Sequence, residues 1–517
     1  LLRFENTPQP KIVSMKLDVD LHPHESRAEV TGVYVLENRT DQPLKEIHVR
    51  FDRDLKVGGL SIQGARSKRT FDRFNYRIFA FDTPMRPGER RAMSFITERV
   101  QRGFRNRGDD TRVVDNGTFI DNTEIAPILG MSRDGLLQER AKRRKYGLPP
   151  EMRPPKLGDL ASRQFNGLRH DADFVTTDIT VTTDADQTPI APGYQVSDRV
   201  HGDRRSARFV TEAPIMPYLS IQSARYAVAR DRYKGVDLAI YYDPHHPWNI
   251  ERMKTAMKAS LDYDQANFSP YQFRQLRIQE FPGYADFAQS FANTIPWSEN
   301  LFFIADYRDP EKIDMVTYVG AHEIGHQWWA HQVIGADQQG GAMLSETFAQ
   351  YSALMVMKRM YGEAQIRKFL KFELNSYLRA RGGDPLEEQP LARVENQPYI
   401  YYRKGSLVMY RLQDEIGQAA VNRALRKLIA GYAFKGAPYP TTLDFLAALR
   451  AEAPADKQAL ITDLFEKITL YDLKAKSATV KKRPDGRFET TLVVEARKLY
   501  AQGRGQETAA PMNETLD

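Results

Sequence analysis

Cysteine is absent from this chain of 517 residues. Disulfides and thiolate metal sites are therefore excluded, and any metal ion must be bound by His, Asp or Glu. Long apolar runs are absent too, because stretches such as residues 353–357 fall well short of the roughly 18–20 residues that a membrane-spanning helix needs. We therefore predict that no segment of this sequence crosses a bilayer.

Charge of one sign is not in large excess either. The 74 Lys and Arg residues against 67 Asp and Glu residues leave a net charge of +7. Nucleic-acid binding would need that excess concentrated among aromatic residues, so we expect no nucleic-acid partner. The densest basic run, residues 140–145, is interpreted as part of a solvated loop, with contact to anionic lipid or a neighbouring chain as the alternative.

The length predicts about three domains at roughly 150 residues each. From residue 11 to about residue 230 apolar residues alternate with polar ones, as where Met15, Leu17 and Val19 alternate with charged residues. Side chains of a strand point alternately to opposite faces, so this pattern predicts half-buried strands of an antiparallel sheet. We assign residues 1–230 to an N-terminal β domain with a basic insertion at about 132–160.

Helical spacing of apolar residues replaces this alternation and defines a second domain at residues 231–472. It predicts helices over residues 315–332, 345–361, 404–416, 419–431 and 442–453. Residues 473–517 are predicted to form a partial C-terminal β domain, in which a turn at 483–487 leads into a strand over 488–496. The chain starts without Met or a signal segment, and we expect it to be a piece of a longer protein.

The residues that carry chemistry begin with His322-Glu323-Ile324-Gly325-His326. Two His residues four positions apart lie on one face of a helix and can bind one zinc ion through their imidazole nitrogens. Glu323 lies next to the first His and can act on an activated water without being a ligand. The alternative is an amphipathic helix whose His residues have only structural partners.

A hydrolytic zinc site needs a third protein ligand and leaves one position for water. After the nineteen residues 327–345 comes Glu346, near the start of a predicted helix. Glu346 could instead be there because a carboxylate is favourable at a helix N-terminus. Taken with the first motif, we predict one zinc ion held by His322, His326 and Glu346.

This H-E-x-x-H, followed by Leu344-Ser345-Glu346-Thr347-Phe348-Ala349-Gln350-Tyr351, resembles the aminopeptidase N-like gluzincin metallopeptidases. The spacing between the second His and the Glu is one residue longer here than is usual in that family. The resemblance implies a multidomain α+β fold. Its parts would be an N-terminal antiparallel β-saddle, a thermolysin-like and mostly helical catalytic domain, and the start of a C-terminal β-sandwich.

The same resemblance implies an oxyanion-stabilising Tyr. Tyr402-Arg403-Lys404-Gly405 is similar to the Y-x-K-G of the family, so Tyr402 takes this role and Tyr401 is its competitor.

It also implies groups that bind the substrate's α-amine. Residues 296–300, Pro-Trp-Ser-Glu-Asn, stand where the family carries G-x-M-E-N, so Glu299 and Asn300 are predicted to contact the amine. Pro and Ser in place of the Gly and Met of that motif are expected to alter the backbone there. A further carboxylate from the β domain meets the amine in the family, and Glu124 is the candidate here.

The function predicted from these residues is that of a zinc-dependent aminopeptidase. It would hydrolyse the first peptide bond of peptides with a free N-terminus through a metal-activated water, with Glu323 as general base and Tyr402 as oxyanion donor. One alternative is a zinc-bearing peptide-binding or regulatory module of a membrane transporter with little or no turnover. Another is a zinc endopeptidase, which needs no amine anchor.

Residues 326–331 and 344–347 also resemble a bacterial subgroup in which the peptidase is fused behind an ABC-2-type transporter permease. This resemblance implies a membrane-embedded transporter portion in the same full-length chain. It further implies a full-length protein that is tethered to the membrane and faces the periplasm, and a fragment that is soluble by itself.

Overall fold

The computed structural model of this protein describes residues 1–101, 112–133, 136–309, 311–512 and 514. These residues form twenty-one strands in five sheets. The strands are β1 (Lys11–His22), β2 (Arg27–Glu37), β3 (Leu44–Arg50), β4 (Lys56–Ile62), β5 (Ala65–Phe71), β6 (Tyr76–Met85), β7 (Arg90–Val100), β8 (Thr118–Asp121), β9 (Ile128–Leu129), β10 (Ala172–Asp184), β11 (Thr188–Ile190), β12 (Tyr194–His201), β13 (Arg204–Val210), β14 (Ser220–Ala224), β15 (Ala227–Tyr233), β16 (Val236–Tyr242), β17 (Gln275–Phe281), β18 (Thr294–Ser298), β19 (Ile468–Lys482), β20 (Phe488–Ala501) and β21 (Glu507–Ala510).

Ten α-helices lie among the described residues, most of them between β16 and β19. They are α1 (Asn122–Ile125), α2 (Arg140–Lys145), α3 (Ile250–Asn267), α4 (Met315–Gly325), α5 (Phe348–Tyr361), α6 (Glu363–Arg381), α7 (Gly405–Ile416), α8 (Gln418–Tyr432), α9 (Thr442–Glu452) and α10 (Gln458–Ile461). Four wide π-helical turns occur at Glu299–Phe303, Met343–Thr347, Tyr399–Lys404 and Thr462–Glu466.

The N-terminal part is built on a seven-stranded sheet in the order β12-β13-β10-β1-β2-β7-β4, with a four-stranded sheet, β5-β6-β3-β9, and a three-stranded sheet, β11-β14-β8. The apolar residues of the alternating pattern, including Met15, Leu17 and Val19, are fully buried between these layers. The prediction of a multidomain α+β fold with an N-terminal β-rich part is confirmed.

The prediction that this sheet is purely antiparallel is wrong at one place, because β1 and β10 pair in parallel. A parallel pair needs a long connection, and about 150 residues separate these two strands in the chain. His48 is also fully buried, although it alternates with the apolar residues Ile47 and Val49 in β3. The ring of Phe4 packs on His48 at 5.0 Å, and Tyr76 hydrogen-bonds it at 2.6 Å, so both faces of β3 are covered.

The helical part begins on a mixed four-stranded sheet in the order β15-β16-β17-β18. Strands β16, β17 and β18 are parallel to one another, so their carboxyl ends lie at one edge. One large apolar core joins this sheet to helices α3 to α9 and includes Trp297, Trp328 and Trp329. Strand β15 runs across the predicted boundary at residue 230, and the domain limits stay predictions.

Most predicted helices agree with the observed ones to within a few residues, but two differences matter for the site. The first helix was predicted to run to residue 332, whereas α4 ends at Gly325 and the chain then folds into tight turns. The apolar residues that continued the helical spacing, Trp328 and Trp329, are buried in those turns. Helix α6 was not predicted at all.

The basic run at residues 140–145 is mostly exposed and forms helix α2, while two Arg side chains of the insertion are held by contacts. Arg143 of α2 is buried and donates to the carbonyl oxygens of Leu137 and Pro149. Arg153 pairs with Glu395 of the helical part, with one N–O distance of 2.9 Å. Residues 134 and 135 of the predicted insertion lie outside the described residues.

The C-terminal sheet has three strands, β19-β20-β21, where a hairpin was predicted. One face of the β19–β20 hairpin is exposed and apolar, with Val480, Phe488 and Leu492 on it. None of the helices in the described ranges is both long enough and apolar enough to span a membrane.

Two Asp–Arg pairs close together in the sequence give a matched test of how burial sets the strength of an ion pair. Asp171 and Arg169 are buried and share two hydrogen bonds of 2.8 and 2.7 Å. Asp178 and Arg208 make the same two-point contact at the surface. Burial raises the pKa of Asp171, but the Arg169 charge outweighs it and holds the pKa below its usual value.

We expect Asp171→Asn to lower the free energy of unfolding by about 3–5 kcal/mol, because it leaves a buried guanidinium without its counter-ion. Asp178→Asn should cost at most about 1 kcal/mol. Because the native pKa of Asp171 is depressed, its stabilisation is present above the unfolded pKa and is lost as the pH falls through the folded pKa. Urea unfolding at pH 7 measures both variants, and equal losses would contradict the burial argument.

Candidate metal centre

Helix α4 carries the two predicted His ligands. It begins at Met315 because the side chain of Asp314 accepts a hydrogen bond from the Thr317 amide at 3.1 Å, which satisfies an otherwise free N–H group. Its eleven residues are almost all buried, so the helix runs through the core. His322 lies in its last turn, and His326 follows directly after it in a helical conformation.

The turn after α4 fixes the second imidazole. Nδ1 of His326 lies 2.8 Å from the carbonyl oxygen of Trp329 and donates to it, which leaves the Nε2 lone pair for a metal ion. Trp328 holds the turn in place, because its indole N–H donates to the Ser269 carbonyl at 2.9 Å. The non-helical end that was not predicted is therefore part of what orients the ligand.

Glu346 reaches the two imidazoles from the π-helical turn that precedes α5. Its Oε2 lies 3.4 Å from Nε2 of His322 and 3.3 Å from Nε2 of His326, and the two nitrogens are 3.0 Å apart. Tetrahedral bonds of about 2.0–2.1 Å place ligand atoms roughly 3.3 Å apart, so these three atoms fit one zinc ion. The structure thus brings together the three predicted ligands.

The electrostatics of the three groups support a bound cation. Burial lowers the pKa of His326, but the Glu346 carboxylate outweighs it and raises this pKa to about 9. Burial raises the pKa of Glu346, and the two imidazoles bring it far below its usual value. The Glu346 carboxylate thus stabilises positive charge at this point, which suits a metal ion bound by neutral imidazoles.

The loop between α4 and α5 depends on a glycine. Gly340 has a φ of +84°, and a Cβ there would lie 2.4 Å from the Ala392 carbonyl oxygen. Only glycine fits such a position, so the loop is packed tightly against the helical domain.

Glu323 lies beside the imidazoles in the interior. Burial raises its pKa, and the neighbouring imidazoles and the backbone N–H of Ser290 act in the opposite direction. Ser290 belongs to residues 287–291, which run antiparallel to β18 through hydrogen bonds such as Phe291 N–H to Thr294 O at 2.8 Å. Gln327 donates to Ser290 Oγ at 2.7 Å and so links residues 287–291 to the end of α4. Sequence reasoning did not find Ser290 or Gln327.

Tyr402 lies in the π-helical turn before α7, with its ring centroid 5.7 Å from that of His322. Burial raises its pKa strongly, and the Glu346 carboxylate raises it further. The phenol therefore stays protonated and can donate a hydrogen bond. Its competitor Tyr401 has a pKa of about 12, raised by burial and then by Glu346, and its carbonyl oxygen accepts from Thr347 Oγ1 at 2.6 Å.

The described contacts of Glu299 and Asn300 lie elsewhere. Glu299 Oε1 accepts from the Gly283 amide at 2.7 Å, and Asn300 donates to Asp286 at 3.0 Å. Ser298, which precedes them, pairs with Phe287 in the hairpin. Ser290 lies three residue steps beyond Phe287, at about 3.3 Å for each step. The structure therefore does not bring Glu299 or Asn300 to the three ligands, and their amine-binding role stays a prediction.

Glu124 lies in α1 and is already held by several groups. Its Oε2 accepts from the Asp121 amide at 3.0 Å, and its Oε1 lies 3.3 Å from Arg112. Burial and the charge of Asp121 raise its pKa to about 7. Burial raises the pKa of Tyr218, and the carboxylates of Asp121 and Glu124 raise it further. The Tyr218 hydroxyl donates to Gln289, which lies among residues 287–291 beside the site, at 3.2 Å.

Glu373 of α6 is a buried group that sequence reasoning missed. Its Oε1 accepts from Tyr318 of α4 and from Arg403, both at 2.9 Å, so it links the ligand helix to the neighbour of Tyr402. Its Oε2 and Nδ1 of His322 are both buried, and neither has a hydrogen-bond partner among the described residues. Glu373 occupies an apolar position in the helical pattern of α6, next to Ile366, Phe369 and Tyr377, and that misfit is the signal that could have found it.

The metal centre thus combines a buried helix with two imidazoles, a carboxylate from the following helical segment and a mixed sheet beside them. Residues 249–466, which are less than half of the chain, match the model of the Peptidase family M1 domain. The match supports the family resemblance of the sequence and covers the whole of the metal centre.

Relatives of known structure extend this likeness to the fold. The M1 zinc metallopeptidase of Deinococcus radiodurans is 17% identical and has a TM-score of 0.62, with 88% of this chain and 94% of that chain covered. A mutant of an M1 zinc metallopeptidase from the same organism, bound to a Tyr-Ser-Ala substrate, has a TM-score of 0.59 at 17% identity over the same shares.

Human endoplasmic reticulum aminopeptidase 2 is 23% identical over 211 residues, which are 39% of this chain. The matched region spans only 22% of the length of the human enzyme.

The contacts of Glu373 generate a prediction about metal affinity. Glu373→Gln keeps the shape of the side chain but removes the charge that faces His322 and Arg403, and we expect metal affinity to fall about 10–100-fold. Competition with a chromophoric chelator measures it. Glu363→Gln, at the exposed start of the same helix, is the control and should change nothing. An unchanged metal affinity in Glu373→Gln would refute a role in orienting the ligands.

Proposed function

We propose that this protein is a zinc-dependent aminopeptidase, in which His322, His326 and Glu346 hold one zinc ion. The observation that carries the proposal is the triangle of ligand atoms 3.0–3.4 Å apart with Glu323 and Tyr402 beside it. Zinc supplies Lewis acidity and lowers the pKa of water toward about 7. The residues around it determine what that acidity is used for.

Glu323 is proposed as the general base and acid. Its interior position keeps the carboxylate out of bulk water, next to where an attacking water would lie, and it can pass the proton on to the leaving amine. Tyr402 is proposed to donate a hydrogen bond to the oxyanion of the tetrahedral intermediate. A donor of this kind contributes about 100- to 1,000-fold in rate, and the raised pKa of Tyr402 keeps its proton available.

The exopeptidase part of the proposal needs an anionic group that binds the α-amine of the substrate. Glu124 is the better-placed of the two predicted carboxylates, since it influences Tyr218, which hydrogen-bonds the strand beside the site. Glu299 has its described contacts at the far end of that hairpin. The match to family M1 supports a peptidase in general, and a fusion to a transporter stays a prediction from the sequence.

The general-base role generates the first functional test. Glu323→Gln should retain zinc at the stoichiometry of the unmodified protein but lose turnover about 100- to 10,000-fold, because only the proton transfer is removed. Hydrolysis of fluorogenic aminoacyl amides and metal analysis on the same samples measure both quantities. Glu363→Gln serves again as the exposed control. Activity that survives in Glu323→Gln would remove this assignment.

A second test distinguishes an aminopeptidase from a zinc endopeptidase and from a zinc-bearing binding module. We expect cleavage of substrates with a free α-amine and none of their N-acetylated forms, because the acetyl group removes the charge to be bound. Glu124→Ala should raise KM for free-amine substrates more than Glu299→Ala does. Cleavage of acetylated peptides would instead indicate an endopeptidase. If protein that holds zinc cleaves neither form, the result would favour a binding module.

A further inference from the structure

A second group of ligand-type side chains lies outside the metal centre described above. One ligand atom each of His246, Glu280 and Glu299 lies within 4.8 Å of the other two. This group combines one imidazole with two carboxylates, which is a donor set typical of transition-metal sites. The aminopeptidase proposal uses neither His246 nor Glu280.

The topology of the mixed sheet brings these residues together. His246 lies in the loop that follows β16, Glu280 is the last but one residue of β17, and Glu299 comes directly after β18. These three strands are parallel neighbours, so all three residues emerge at the same edge of the sheet. Glu280 pairs in register with Trp297, two residues before Glu299, so both carboxylates lie on the same face.

Hydrogen bonds hold the three side chains in place. Glu280 Oε2 accepts from the Asp243 amide at 2.6 Å, and its Oε1 lies 2.5 Å from Nδ1 of His246. Glu299 is held by the Gly283 amide at 2.7 Å. Glu280 is only 4% exposed, whereas His246 and Glu299 are half-buried at the rim. The group therefore combines a fixed interior ligand with an opening to solvent.

The charge of this group distinguishes it from several other carboxylates. Asp171 and Asp463, for example, are buried and pair with Arg169 and Lys498. Among the described ion pairs, Glu280 is joined only to His246, and Glu299 to no Lys or Arg. With the imidazole neutral, the two carboxylates bring two negative charges close together, one in the interior and one at the rim, and a bound cation would reduce their repulsion.

We propose that His246, Glu280 and Glu299 form a second divalent-metal site, with zinc or manganese as the ions that suit imidazole and carboxylate ligands. Bonds of about 2.0–2.2 Å limit ligand separations to about 4.3 Å, so binding requires His246 and Glu280 to move slightly apart and Glu299 to close in. The site is structural: its ion joins the loop after β16, the end of β17 and the π-helical turn at 299–303.

Metal counting tests this proposal without relying on activity. Protein saturated with Zn²⁺, desalted and analysed by mass spectrometry of the metal should hold two ions per chain. His246→Ala should hold one, and so should His322→Ala, because each variant loses a different site. The double variant should hold none. His245→Ala is the matched control: its side chain is 87% exposed in the same loop, and the variant should keep two ions.

Glu299→Gln gives a second variant with a smaller change in shape, and circular dichroism of each variant shows that it is folded. It should bind the second ion at least 10-fold more weakly in titrations with Mn²⁺ or Zn²⁺ alone. One ion per chain in the unmodified protein, unchanged in His246→Ala and lost in His322→Ala, would overturn the second site and leave the aminopeptidase proposal intact. In that case the close contact between His246 and Glu280 is a hydrogen-bonded pair.

Discussion

Three electron-pair donors face one another in the interior of this protein, and that arrangement constrains everything around it. The two Nε2 atoms and the Glu346 oxygen are 3.0–3.4 Å apart, a distance at which buried donors repel unless a proton or a metal ion lies between them. The surrounding structure keeps them in this position. The cap at Asp314, the turn at Trp329 and the π-helical turn at residues 343–347 each fix one of the ligands.

A second layer of buried polar contacts links that triangle to the rest of the helical part. Glu373 touches Tyr318 on the ligand helix and Arg403 beside Tyr402, so the positions of the metal ligands and of the phenol depend on one carboxylate. Gln327 links residues 287–291 to the end of the ligand helix through hydrogen bonds to Ser290 and Phe291. These contacts are short and wholly or partly buried, which makes them stronger than the many surface ion pairs of this chain.

Local patterns were enough to predict a large share of this structure. The alternation around Met15, the four-residue spacing of His322 and His326 and the helix after Glu346 all reflect geometry within a few residues of the chain. The parallel pairing of β1 with β10 could not be predicted in this way, because it joins residues about 160 positions apart. Glu373 was missed for a related reason: its partners come from α4 and from the turn before α7.

The contacts of Glu299 show the limit of motif matching. Its neighbours in sequence resemble a family motif, yet the hairpin formed by residues 287–298 places a different residue, Ser290, beside Glu323. A strand shifts its side chains by about 3.3 Å per residue, so a motif displaced by a few positions along a hairpin reaches a different part of the molecule. Sequence identity of a short motif does not fix where it lies when the flanking turn differs.

The wide turns at residues 343–347 and 399–404 have a consequence for how such a site can change over time. A π-helical turn contains one residue more than the α-helical turn it replaces, so an added residue can be absorbed at that point while the helix beyond keeps its direction and its buried face. The number of residues between His326 and Glu346 is then free to differ between relatives, whereas the triangle of ligand atoms is not. We therefore expect this fold to tolerate single-residue insertions next to Glu346 or Tyr402.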